Sequence, residues 1–207
     1  MFVVSKLIIE GGHPLEGELP IHGAKNSALP VLAATLLCQG QSVIHNCPGL
    51  SDVDASIQIL RHLGCQIYRE GSTLTVDSQH VSTCDIPDDL MREMRSSIVF
   101  LGAIVSRMGC AKLSFPGGCE LGPRPIDLHL KALRQMGLHI DEHYGYLDCK
   151  VDGKLKGTDI ALSFPSVGAT ENILLAATVA DGTTVLTNAA REPEIVDLAC
   201  YLNACGA

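Results

Sequence analysis

The sequence predicts an α/β (α+β) chain built from three copies of one helix–strand–helix–strand–strand unit, and three observations predict it. The stretches NSALPVLAATLLCQGQSVI, SSIVFLGAIVSRMGCAKL and ATENILLAATVADGTTVL each run from an apolar, helix-like segment through a glycine into a short β-type run. A second helical stripe follows each of them and closes on another glycine, where a helix C-cap belongs. Two alternating segments around a glycine turn, CQIYREGSTLTVD and LHIDEHYGYLDCKVDG, then read as β-hairpins.

In the first unit the apolar helix leads to Gly40 and a strand, and the second helix carries Val53, Ile57, Leu60 and Leu63 before Gly64. Its hairpin turns at Gly71. The second unit repeats the order with Gly109, then Ile126, Leu130, Leu133 and Met136 before Gly137, and a hairpin turning at Gly145. The third has Gly182, then Ile195, Ala199, Leu202 and Cys205 before Gly206, and stops at Ala207 without a hairpin. The shared spacing i, i+4, i+7, i+10 lines one helix face. The units are expected at about 22–90, 91–164 and 165–207, the last incomplete, with N-terminal strands over 1–21.

Composition narrows the function classes. The 207 residues carry 46% apolar residues but 4% aromatics and no Trp, so small aliphatics must build the core. A net charge of −8 without a basic cluster argues against nucleic acid. No apolar run approaches the ~20 residues of a membrane span, and the N-terminus lacks the pattern of a signal peptide. Nine cysteines without CxxC spacing fit reduced thiols in a cytoplasm better than a disulfide framework. His139, His143 and Cys149 could ligate a metal, but the segment also reads as a polar hairpin, and no cofactor or metal is expected.

One loop departs from the repeat. The two glycine markers lie 24 residues apart in units one (40 to 64) and three (182 to 206), but 28 apart in unit two (109 to 137). The four extra residues fall in PGGCELGPRP, which sets Cys119 among glycines and prolines, five residues before Arg124. A loop that exceeds its own repeat points to function. If the units share an axis, corresponding helix starts face a common region. They carry Lys25 and Asn26, Arg95, and Ser166, Val167 and Gly168, with Arg124 nearby. Helix N-termini bind anions, so the set suggests a phosphate or carboxylate site, against the plainer reading of solvated surface charges. Such surroundings also favour the Cys119 thiolate.

GAKNSALP, MRSSI, PGGCELGPRPIDLH, SVGAT and AAREPEIVD together resemble the UDP-N-acetylglucosamine enolpyruvyl transferase family nearly end to end. The resemblance implies an inside-out α/β prism of two three-unit domains with the active site between them. It implies transfer of the enolpyruvyl group of phosphoenolpyruvate to the 3-hydroxyl of UDP-N-acetylglucosamine, releasing phosphate, in peptidoglycan synthesis. Matched residue by residue, Cys119 is the proton donor, able to form a covalent adduct and to be alkylated by fosfomycin. Lys25 and Asn26 contact phosphoenolpyruvate and the sugar, and Arg124 and Arg95 contact the substrate anions. Pro125, Ile126, Asp127 and Leu128 match the uridine-binding stretch. Phe164, Pro165, Ser166 and Val167, with Gly168, lie along the diphosphate; some members carry a lysine at the Phe164 position. Family members are about twice as long, so the resemblance implies a missing C-terminal half with an aspartate as general base. The N-terminal strands belong there to the second domain. The alternatives are a non-catalytic UDP-sugar-binding half and the related 3-phosphoshikimate enolpyruvyl transferase, disfavoured by the PGGC loop.

Overall fold

The computed structural model describes residues 7–94, 96–115 and 126–207. The first unit contains α1 (Lys25–Ala34), a 3-10 turn (Thr35–Leu37), β1 (Gln41–Ile44), α2 (Ser51–His62), β2 (Gln66–Glu70) and β3 (Thr73–Asp77). The second contains β4 (Asp85–Ile86), α3 (Asp88–Glu93), a 3-10 turn (Ser97–Val99), α4 (Phe100–Met108), β5 (Cys110–Ser114), α5 (Asp127–Gln135), β6 (Leu138–His143) and β7 (Tyr146–Val151). The third contains β8 (Asp159–Ala161), α6 (Val167–Ala177), β9 (Val185–Thr187) and α7 (Pro193–Ala204). Three repeated mixed units are what the sequence predicts.

The glycines close the second helices as their spacing requires. Gly64, Gly137 and Gly206 take φ of 107°, 96° and 98°, left-handed values that any Cβ would strain. At the end of α2, Gly64 N–H bonds to Arg61 C=O at 3.0 Å and Cys65 N–H to Leu60 C=O at 2.9 Å. The end of α7 repeats this pair, Gly206 to Asn203 and Ala207 to Leu202, each at 3.0 Å. Both are Schellman caps, which satisfy carbonyls the helix leaves over. The hairpins form as well. β2 and β3 pair antiparallel, and β6 and β7 pair from Leu138↔Val151 to His143↔Tyr146 around Tyr144 and Gly145, both at positive φ. In that hairpin His139 is exposed while Cys149 is buried in the core, so the two do not converge as ligands.

Two short strands were not foreseen. β4 pairs parallel with β5 (Asp85↔Lys112), and β8 pairs parallel with β9 (Asp159↔Val185). Two or three residues cannot display a period of two, so nothing in the sequence marks them. Each pairs with a strand that lies further along the chain, β4 with β5 and β8 with β9. A further difference lies at the N-terminus: residues 7–22 form no strand. Leu7, Ile8, Ile9, Leu15, Leu19 and Ile21 all stand exposed. A strand needs a neighbour for its N–H and C=O groups, and no described strand takes that place.

The core lies between the units. α1, α4 and α6, one from each unit, are buried nearly all round and pack through small residues such as Ala33, Ala103 and Ala176. The sheets lie outside them with one face inward: along β7, Leu147, Cys149 and Val151 are buried while Tyr146, Asp148 and Lys150 are not. α4 comes close to α6 at Gly102, where a Cβ would lie 2.5 Å from the carbonyl oxygen of Asn172.

Core burial also pushes several thiols up. Desolvation raises Cys65 from 9.0 to about 11 and Cys149 to about 12. A group with a raised folded pKa holds its proton longer when folded, so its contribution is intact below about pH 9 and is lost as pH rises through 11 to 12. Urea midpoints measured from about pH 8 to 11 should therefore fall on the alkaline side. Cys149→Val should flatten that slope; an unchanged slope would show that this thiol does not contribute.

Candidate functional site

The starts of the helices meet at a cleft of about 430 Å³. Lys25 and Asn26 open α1, Asp52 lies in the first turn of α2, and Ile126 and His129 come from the start of α5. Ser166, Val167 and Gly168 begin α6, and Glu194 begins α7. Several helix N-termini aimed at one space give unsatisfied N–H groups and positive dipole ends, a setting for an anion. Ser166 caps α6 by accepting from Ala169 N–H at 3.4 Å. The N–H groups of Val167 and Gly168, in the first turn, have no carbonyl four residues back within the helix.

The α1 start is fixed from both sides. Lys25 Nζ lies 2.5 Å from Asp52 Oδ2. Asn26 Nδ2 donates to Glu194 Oε1 at 3.4 Å, and Ser27 Oγ donates to Asp197 Oδ2 at 2.5 Å. These contacts tie the first unit to the third. Pro30 in the second turn has no N–H to give the Asn26 carbonyl, so the helix ladder is missing that bond. The Lys25–Asp52 pair is half open to solvent, with side chains 46% and 23% exposed, so its worth to stability is at most about 1 kcal/mol. Its significance is that a carboxylate holds the lysine in place.

The structure brings Lys25, Asn26, Ile126, Ser166, Val167 and Gly168 to this one cleft. Leu128 is buried behind it in the core, and Asp127 is exposed at the start of α5. Phe164 is exposed, and Pro165 borders a separate depression of about 380 Å³ with Asn188 and Arg191. Arg95, Cys119, Arg124 and Pro125 lie outside the described residues. A larger depression of about 610 Å³, around Arg107 and Lys154 at the far end of α4, contains none of the expected site residues. Among the described residues no group of three or more His, Cys, Asp or Glu is placed to hold a metal, and no helix is long and apolar enough to cross a membrane.

Sequence reasoning missed Asp52, His129, Glu194 and Glu171 of α6, all of which line the cleft. Asp52 is 27 positions from Lys25, and no local spacing rule connects two helix starts in different parts of the chain. His129 carried a partial signal, because it ends the quoted loop-and-helix string.

A fold of repeated units with helix starts around an anion-sized cleft matches a known class. The family model described as EPSP synthase (3-phosphoshikimate 1-carboxyvinyltransferase) matches residues 9–207, and the chain belongs to that family. Within it, the chain is 56% identical over 99% of its length to UDP-N-acetylglucosamine 1-carboxyvinyltransferase 2 of Caldanaerobacter subterraneus subsp. tengcongensis, covering 49% of that protein. It is 48% identical to the UDP-N-acetylglucosamine 1-carboxyvinyltransferase of Shewanella amazonensis, again over 99% of the chain and 49% of the relative. The chain thus spans about half the length of the curated relatives it matches. Among solved structures it is similar to the enolpyruvyl transferase NikO from Streptomyces tendae, with a TM-score of 0.81 and 26% identity over 93% of this chain and 45% of that one. EPSP synthase from Acinetobacter baumannii shares the fold at a TM-score of 0.64 and 22% identity, over 86% of this chain and 41% of that one.

Proposed function

We propose that the complete protein carrying this chain transfers the enolpyruvyl group of phosphoenolpyruvate to the 3-hydroxyl of UDP-N-acetylglucosamine, releasing phosphate, in cytoplasmic peptidoglycan synthesis. The observation that carries the reading is the 56% identity over 99% of the chain to a protein named for this activity. The cleft that gathers Lys25, Asn26 and the start of α6 supports it. The related shikimate enzyme is disfavoured by the PGGC loop, residues 116–119, of the sequence. On this reading residues 22–207 form one domain and 1–21 belong with the second.

Cys119 donates its thiol proton to the methylene carbon of phosphoenolpyruvate, and positive charge develops on the neighbouring carbon. The sugar 3-hydroxyl attacks that carbon and loses its proton to a base from the other half of the protein; phosphate then leaves as the new methyl group returns a proton to the Cys119 thiolate, which restores the carbon–carbon double bond. Lys25, Asn26, Arg95 and Arg124 hold the phosphate and carboxylate so that this geometry is already in place. Pro125, Ile126, Asp127 and Leu128 lie along the uridine, and Phe164 to Gly168 along the diphosphate, where backbone N–H groups take the place of a lysine.

Asp52 positions Lys25 for this work. Asp52→Asn should lower kcat/KM for phosphoenolpyruvate by about tenfold, the order of one charge-assisted contact, while Tm changes little. Unchanged kinetics would remove Asp52 from the site. The reading itself is tested by phosphate release from both substrates with the complete protein; absence of release in a folded sample overturns it.

A further inference from the structure

α1 and α7, one from the first unit and one from the third, lie side by side and run the same way. Their starts meet through the Asn26–Glu194 and Ser27–Asp197 bonds. At the other end of the same helix pair two thiols meet, although they stand 167 positions apart in the chain: Cys38 Sγ lies 3.5 Å from Cys205 Sγ. Cys38 follows the 3-10 turn that continues α1, and Cys205 closes α7. Cys205 is exposed and Cys38 half-buried, so the pair is open to solvent. Sulfurs in a disulfide stand about 2.0 Å apart, so each Sγ has less than about 1 Å to travel, a small rotation of its side chain.

Two hydroxyls stand beside the pair. Tyr201 Oη lies 3.6 Å from Cys38 Sγ and 2.8 Å from Ser42 Oγ. Burial pushes the Tyr201 phenol up, so it keeps its proton and can donate to a negative charge on Cys38 while its oxygen accepts from Ser42. Partial burial, and then the Cys38 sulfur beside it, push the Cys205 thiol up as well, so Cys205 is the partner that holds its proton. The surroundings thus divide the pair into an attacking and a resolving thiol.

We propose that Cys38 and Cys205 are a reversible oxidation site that closes to a disulfide under peroxide and staples the first unit to the third, at the end of α1 and α7 away from the cleft. The Cys38 thiolate attacks one peroxide oxygen and the O–O bond breaks, giving a sulfenic acid and a hydroxide that takes up a proton as water. The Cys205 sulfur then attacks the Cys38 sulfur. The S–S bond forms, and the sulfenic hydroxyl leaves with the Cys205 proton as a second water. Two thiols lose two electrons and two protons, and hydrogen peroxide becomes two waters. A dithiol reverses the bond by exchange. In a reducing compartment such a pair is a transient sensor rather than a permanent brace. The proposal does not depend on what the cleft binds.

The test uses the complete protein carrying Cys119→Ser, which removes the loop thiol. After hydrogen peroxide, remaining thiols are capped, the protein is digested without reductant, and the peptides are mapped by mass spectrometry. A peptide containing Cys38 joined to one containing Cys205 is expected, and dithiothreitol should separate them. Because the bond closes a long loop, the oxidised protein should unfold about 5 °C or more above the reduced one. Cys205→Ser, at an exposed position, should abolish both the cross-link and the rise while leaving the reduced protein's unfolding temperature nearly unchanged. Unlinked Cys38 and Cys205 in a folded, peroxide-treated sample overturn the proposal, as does a bond between the neighbouring thiols Cys84 and Cys110 in their place. A cross-link without the rise overturns the staple.

Discussion

Replacing Cys119 by serine in the complete protein is expected to lower turnover by about 10²- to 10⁴-fold, the usual contribution of a positioned acid or base, with UDP-N-acetylglucosamine affinity kept. The argument begins in the sequence, where the loop that carries this thiol is the one segment longer than its own repeat. Its start feeds from β5 and its end reaches Ile126, which borders the cleft. A serine hydroxyl is a far weaker acid than a thiol, so it fills the space without delivering the proton. Arg124→Ala should behave differently and weaken binding too, because it removes a cation from an anion site. Alkylation gives a second view. Burial holds Cys65 near 11 and Cys149 near 12, which leaves little thiolate at neutral pH. Limited alkylation should therefore label Cys119 well before either of them, and equal affinity loss in the two variants would contradict the assigned roles.

Gly102→Ala should destabilise the fold by about 2–3 kcal/mol, or roughly 4–12 °C in Tm for a domain of this size. Two effects oppose each other. Alanine improves helix propensity by about 1 kcal/mol over glycine. Against this, the new methyl would stand 2.5 Å from the Asn172 carbonyl oxygen and 2.9 Å from Oδ1, with backbone on one side and a fixed amide on the other. Neither can swing away, so α4 and α6 must separate and the Gly102–Asn172 hydrogen bond at 2.6 Å must stretch. Overpacking wins. Differential scanning calorimetry of the complete protein checks the sign, and a raised Tm would show that the two helices can part freely.

Much of the fold was legible because its signals are local. A helix stripe followed by glycine marks a cap within four residues, and Gly64, Gly137 and Gly206 all adopt the left-handed geometry this requires. Hairpins with alternating faces were equally plain. β4 and β8 were not, since strands of two and three residues exist only through parallel partners beyond an intervening helix. The site divides the same way. Lys25, Asn26 and the SVGAT start of α6 could be placed from helix-start chemistry alone. Asp52 and Asn172 act through space: one meets a lysine 27 positions away, the other a histidine 43 positions away and a backbone ladder 70 positions away. The N-terminal segment shows the converse. The family resemblance implies strands there, yet pairing needs a neighbour that the described residues do not place beside it.

The most direct measurement is phosphate release by the complete protein with phosphoenolpyruvate and each of two acceptors. UDP-N-acetylglucosamine should support turnover, and shikimate 3-phosphate should support none. Turnover with shikimate 3-phosphate, or none with UDP-N-acetylglucosamine in a folded sample, would contradict the assignment of this cleft to a sugar-nucleotide enolpyruvyl transferase.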